Sequence, residues 1–120
     1  MIRNMDGLLR MAASGKRHML VVACAQGKEV LRAIWTAHKA GIAEAILVGD
    51  KLQIRKAAET SQIYVDDFSI VHEPDREAAC RKAVSLIREG KASALMKGQV
   101  DTPVLMRAVL DRSEGLRRDA

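Results

Sequence analysis

Four short apolar runs, each followed by an amphipathic stretch, constrain this chain more than any other feature. Met19-Leu-Val-Val-Ala23, Ala45-Ile-Leu-Val48, Ser69-Ile-Val-His72 and Ala94-Leu-Met96 each have the length of a strand. A continuous apolar run such as the first suits a parallel sheet covered on both faces. Between the runs the apolar period changes to that of a helix. Val30, Leu31, Ile34, Trp35 and His38 share one face of a predicted helix from Lys28 to Ala40 with Gly41 as its stop. Asp50 is placed to cap a helix bearing Leu52, Ile54, Ala57 and Ala58. Glu73, Pro74 and Asp75 form an acidic helix start before Ala78, Ala79, Ala83, Val84 and Ile87, with Gly90 as stop. Gly7 to Ser14 predicts a further short helix, and residues 61–68 a connector into the third strand.

Strands that alternate with helices imply parallel strands joined by right-handed crossovers, hence an α/β fold: a three-layer α/β/α sandwich with a mainly parallel sheet of about four strands. The expected strand order is 2-1-3-4, with Met19 to Ala23 inside and Ala45 to Val48 at one edge. No linker or shift of composition divides the chain, so residues 1–120 read as one structural unit. With 48% hydrophobic but only 2% aromatic residues, the core must be built from Val, Ile, Leu, Ala and Met.

Several function classes are excluded or disfavoured. Neither GxGxxG after the first strand nor GxxxxGK[ST] occurs, which argues against a dinucleotide fingerprint and a P-loop. Cys24 and Cys80 lack CxxC spacing and nearby histidines, so no zinc or other metal site is expected and both read as buried, reduced thiols. A nucleophilic Cys24 has no supporting neighbour. The three histidines are dispersed, and only His72 falls on the carboxyl end of a strand. No run approaches the roughly 20 apolar residues of a membrane span, and no signal peptide is present, which predicts a cytoplasmic protein. Lys plus Arg number 20 against 15 Asp plus Glu, a formal net charge of +5. This excess fits either a solvated surface or a preference for anionic, phosphorylated ligands. Nucleic acid is not expected, because Trp35, Tyr64 and Phe68 form no stacking pattern in sequence.

In an open α/β sheet the ligand crevice lies outside the carboxyl ends of the strands. That edge carries Cys24 to Gly27, Gly49-Asp50, His72-Glu73 and Lys97 to Thr102. The last is richest in groups able to hold an anion. Thr102 is a good N-cap and Pro103 a good first helical residue, so a helix should begin close to Lys97-Gly98, with its free amides gathered at the positive pole. Each candidate has a second reading. Lys97 approaches a phosphate or carbonyl oxygen, or is simply hydrated. Gly98 permits close backbone approach to a ligand or supplies a positive φ. Thr102 is a cap or a ligand hydroxyl. Arg107 reaches back to a phosphate, or pairs with Asp101 or Asp111.

Lys97-Gly98, three residues, Thr102, four residues, Arg107-Ala-Val-Leu110 and then Glu114-Gly115-Leu116-Arg117 resemble the signature segment of the phosphate acetyl/butyryltransferase family, nearest its phosphate butyryltransferase branch. Ala43 to Asp50, Ala83-Val84 with Ile87 to Gly90, and Val21 to Ala23 with Val30 to Ala33 match in order upstream. The resemblance implies a fold like that of the isocitrate/isopropylmalate dehydrogenases. It implies acyl transfer between coenzyme A and orthophosphate, with Lys97 catalytic and Gly98, Thr102 and Arg107 binding substrate. Coenzyme A enters as a thioester substrate, and no prosthetic group or metal is needed. Family members are much longer, so residues 1–120 correspond to an N-terminal portion, a single incomplete α/β domain. The remaining catalytic Arg, Ser and Asp groups, and strands that return to complete the sheet, would lie later. The expected partners are acyl-CoA and orthophosphate, together with a second copy of the chain or the missing C-terminal portion. A non-catalytic module binding coenzyme A or a phospho-ligand, and a structural fragment needing a partner chain, are the alternatives.

Overall fold

The structure is a computed structural model that describes residues 15–111 and 113–116 together with Gly7, Arg10 and Ala13. The expected helix over residues 7–14 otherwise lies outside the described residues. The elements run β1 (His18–Ala23), α1 (Lys28–Lys39), β2 (Ala43–Gly49), α2 (Lys51–Thr60), a 3-10 turn (Val65–Asp67), β3 (Ser69–His72), α3 (Arg76–Arg88), β4 (Ala94–Lys97) and α4 (Thr102–Val109). All four strands are parallel.

The local signals act as the sequence implies. The Asp50 carboxylate accepts from the Gln53 amide at 3.2 Å and that of Asp75 from the Ala78 amide at 2.9 Å, each satisfying an orphan donor of a first turn. Gly41 and Gly90 take φ of 74° and 77° just past α1 and α3, the left-handed conformation that ends a helix without a Cβ penalty. α4 begins one residue away from expectation. Asp101, not Thr102, is the N-cap, because its extended backbone turns its own carbonyl toward the Val104 and Leu105 amides, at 3.1 and 3.3 Å. Pro103 still falls in the first turn, where its missing N–H costs nothing.

The sheet order is β3-β2-β1-β4, which corrects the expected 2-1-3-4. β1 is inside, as predicted, but β2 lies between β1 and β3 and is not an edge. The burial of the strands gives the reason. Ser69 and His72 at the two ends of β3 are exposed and its centre is only half-buried, which suits an edge. Leu95 and Met96 of β4 are 5% and 2% exposed and need the cover available beside the buried Leu20 to Ala23 of β1.

This order divides the helices between the two faces. Leu20 and Val22 of β1 point into one core with Leu31 and Ile34 of α1, Ile54 and Ala58 of α2, and Phe68. Val21 and Ala23 point into the other with Ala79, Cys80, Ala83 and Val84 of α3 and Leu105 and Ala108 of α4. Alanines and a cysteine on α3 let that helix lie close to the sheet. The chain winds outward from β1 to β3 on one face, then crosses back through α3 to β4 on the other. The strand order therefore reverses between β1 and β4. Beyond β4 no described strand pairs. Its Leu95 and Met96 side chains are nevertheless covered. What stays open is the strand edge and a groove of about 600 Å³ lined by Ile87, Leu95, Met106, Val109 and Leu116, among others.

Candidate functional site

A ligand crevice in a doubly wound sheet forms where the strand order reverses, because the loops on either side diverge to opposite faces. Here those loops follow β1 and β4. Cys24 leaves β1 with φ of 62°, and its carbonyl then accepts from the Gln99 amide at 2.6 Å, while the Ala23 carbonyl accepts from Gly98 at 2.9 Å. The two loops are thus laced by backbone. A Cβ at residue 98 would stand 2.2 Å from the Cys24 oxygen and 2.6 Å from that of Ala23. Gly98 allows a close backbone approach. What approaches is the β1 backbone, and Gly98 is not among the residues of positive φ.

A third segment joins this junction. Arg76, the first residue of α3, donates from Nε to the Gln99 carbonyl at 3.0 Å, and its own carbonyl receives the Cys24 thiol at 3.7 Å. Between them lies a cleft of about 400 Å³ lined by Arg76, Lys97, Gly98, Gln99, Val100 and Asp101. Two cations face one space there. Among the described residues, no carboxylate lies within 4.0 Å of the Lys97 ammonium or the Arg76 guanidinium, although Asp101 lines the same cleft. The lining is mostly polar backbone and charge, and α4 begins at its rim, so an anion is the chemistry the cleft suits.

Of the residues singled out from the sequence, Lys97 and Gly98 line this cleft, and Thr102 is half-buried in the adjoining first turn of α4. Arg107 is exposed one turn further along α4, outside the cleft lining, and forms no ion pair with Asp101 or Asp111. Sequence reasoning missed Arg76 and Gln99. The readable signal for Arg76 was its position: a cation in the first turn of a helix opposes the macrodipole and stabilises nothing locally.

The remaining candidates are engaged elsewhere. Cys24 and Cys80 are fully buried. A hydrogen bond between their side chains, together with burial, pushes the Cys24 thiol far above the ordinary range, so it carries no thiolate. His72 accepts the Lys51 amide at Nδ1, 3.0 Å away, which makes it a cap for α2. It ends β3, three strands from β4 in the sheet order. His38 lies at the opposite end of the strands, with Nδ1 3.1 Å from Glu44 and Nε2 3.7 Å from Asp67. The described residues contain no cluster of three or more His, Cys, Asp or Glu able to hold a metal ion, and no helix among them is long and apolar enough to cross a membrane.

Comparisons with known proteins bear on the family and the fold. The family model described as Phosphate acetyl/butaryl transferase matches residues 5–104. The chain is 42% identical over 117 residues to the phosphate butyryltransferase of Clostridium acetobutylicum, covering 98% of this chain and 39% of that protein. It is 36% identical over 110 residues to the probable phosphate butyryltransferase of Bacillus subtilis, covering 92% of this chain and 36% of the relative. The fold matches that of a branched-chain phosphotransacylase from Enterococcus faecalis with a TM-score of 0.61 and 23% identity, over 78% of this chain and 33% of the other. This chain therefore spans well under half the length of these relatives, and it belongs to the phosphate acetyl/butyryltransferase family.

Proposed function

We propose that this chain contributes the phosphate-binding wall of an enzyme that moves an acyl group between coenzyme A and orthophosphate. The observation that carries the reading is the cleft at the β1/β4 reversal, where Lys97 and Arg76 stand without carboxylate partners among the described residues, beside the start of α4. Family membership supplies the reaction class. In that reaction a phosphate oxygen attacks the thioester carbonyl, the C–S bond breaks, and the electron pair leaves with sulfur as the coenzyme A thiolate, giving acyl phosphate. Charge develops first on the carbonyl oxygen and then on sulfur, so a cation positioned in advance stabilises the transition state more than the substrates.

In this reading Lys97 is the catalytic cation, a flexible point charge able to follow the developing oxyanion. Gly98 lets the loop lie against β1 and so keeps Lys97 at the edge of the cleft, and Thr102 offers a hydroxyl at the rim. Arg107 binds a more distant phosphate of the same substrate. Coenzyme A is a substrate here, and no prosthetic group takes part. The remaining catalytic Arg, Ser and Asp groups come from the C-terminal portion that longer relatives have, or from a partner chain packed against the open edge of β4. The bacterial relatives and the absence of a membrane-spanning helix among the described residues support a cytoplasmic setting.

The test is an assay of coenzyme A-dependent acyl phosphate formation with phosphate and butyryl-CoA. The 120-residue chain alone shows no appreciable turnover, because one wall cannot orient two substrates. Addition of the C-terminal portion of a relative restores it. Robust turnover by the isolated chain contradicts the one-wall account, and binding without turnover in the reconstituted pair favours a non-catalytic binding module.

A further inference from the structure

We propose that Arg76 is the second cation of the anion cleft and binds a phosphate dianion together with Lys97, an assignment that rests on the functional reading above. The sequence segment that carries the family resemblance contains Lys97 and Arg107 but not Arg76, which lies 21 positions upstream of Lys97 and reaches the cleft only through the fold. Three observations point to it. Its Nε is fixed by the Gln99 carbonyl at 3.0 Å, which orients the guanidinium plane across the loop that follows β4. Its terminal nitrogens have no carboxylate within 4.0 Å among the described residues, although Asp75 and Glu77 flank it in sequence and the i,i+4 pair on this helix is made by Glu77 with Arg81 instead. It also occupies the first position of a 13-residue helix, where the macrodipole disfavours a cation.

An arginine anchored at Nε, free at both terminal nitrogens and sharing a cleft with an unpaired lysine is a like-charge arrangement that becomes favourable when an anion lies between the two. The planar fork matches two oxygens of a phosphate, while the lysine adds a point charge. Asp101 on the same lining opposes a second anion and so favours one compact dianion over an extended polyanion. That dianion is either orthophosphate or the phosphomonoester of coenzyme A. Both present the same oxygens.

The experiment titrates this chain by calorimetry at low salt with inorganic phosphate and, separately, with adenosine 3′,5′-bisphosphate. Wild type, Arg76→Gln, Arg76→Lys, Lys97→Ala and Lys56→Ala are compared, with a thermal melt of each. Arg76→Gln keeps a donor for the Gln99 carbonyl and removes the charge. It should weaken one of the two ligands roughly ten-fold or more, with its melting temperature near that of wild type. Arg76→Lys should recover part of the loss, and Lys56→Ala none of it should incur. A loss confined to inorganic phosphate identifies the orthophosphate site, and one confined to the nucleotide identifies the coenzyme A phosphate. If Lys97→Ala weakens binding while Arg76→Gln does not, the assignment of Arg76 fails and the cleft reading stands. If Arg76→Gln lowers only the melting temperature, Arg76 is a structural tie and the assignment is wrong. Wild type that binds neither ligand overturns both the assignment and the cleft reading.

Discussion

The two ends of the sheet carry similar residue types and use them in opposite ways. At the amino end of the strands, Arg17 pairs with Glu44, and His38 stands between Glu44 and Asp67. Trp35 and Phe68 pack around that histidine, with ring centroids 5.7 and 5.1 Å away, and Tyr64 lies against Trp35 at 6.1 Å. All three aromatic residues of the chain are spent on this one end. At the carboxyl end, Lys97 and Arg76 share a cleft without carboxylate partners among the described residues, and the loops are held by backbone hydrogen bonds together with the Arg76 and Cys24 side chains. Charges satisfied by one another mark a region whose task is folding. Charges left open across a cleft mark one whose partner comes from outside.

Substitutions at the two ends should therefore separate stability from binding. The largest expected effect is at the amino end. Phe68→Ala removes a buried ring from beneath His38 and should lower unfolding stability by about 3 kcal/mol in urea, with phosphate binding unchanged in the folded protein. A binding loss of similar size would show that the two ends are coupled. At the carboxyl end, Gly98→Ala drives a Cβ into the Cys24 and Ala23 carbonyls. It should cost about 2 kcal/mol and, unlike Phe68→Ala, also abolish phosphate binding, because the loop that holds Lys97 is displaced. Lys97→Ala and Arg107→Ala, placed in a complete enzyme, should each lower kcat/KM by about 1.5 to 3 kcal/mol while leaving stability unchanged. Lys56→Ala on the exposed face of α2 gives the background. Equal, negligible effects in all three would return Lys97 and Arg107 to the solvated surface.

The smallest effect concerns the turn after α4. Asp111 accepts from the Glu114 and Ser113 amides, at 2.8 and 2.9 Å, and from the Ser113 hydroxyl, and these bonds hold its carboxyl below the usual range. A lowered folded pKa means that the stabilisation is present above the ordinary carboxylate value and is lost as pH falls through the lowered one. Asp111→Asn should flatten this part of the acid limb in thermal melts between about pH 5 and pH 2. An unchanged profile would remove Asp111 from the account of that turn.

Much of the fold was legible in the sequence because its signals are local. Asp50, Asp75, Gly41 and Gly90 act on neighbours within a few residues, and continuous apolar runs announce buried parallel strands. Strand order was not legible. It depends on which four-residue strand tolerates exposure, and the composition of Ser69 to His72 carries that information only when weighed against Ala94 to Lys97. The site was half legible for the same reason. Lys97 and Gly98 are adjacent in sequence to the start of α4, whereas Arg76 reaches them through a crossover, and Gly98 faces a carbonyl contributed by a strand more than 70 residues earlier. The aromatic residues illustrate the converse: scattered in sequence, they meet in space at the end remote from the cleft.

If the open cations at the carboxyl end serve a ligand, phosphate binds where the strand order reverses, between β1 and β4. A titration of the ¹⁵N-labelled chain with inorganic phosphate, followed by amide chemical shifts, tests it residue by residue. Saturable shifts are expected at Gly98, Gln99, Val100 and the first turn of α4, accompanied by the Arg76 Nε–H signal, with Glu44 and Asp67 unmoved. Shifts confined to the amino end of the strands, or none at all, would contradict it.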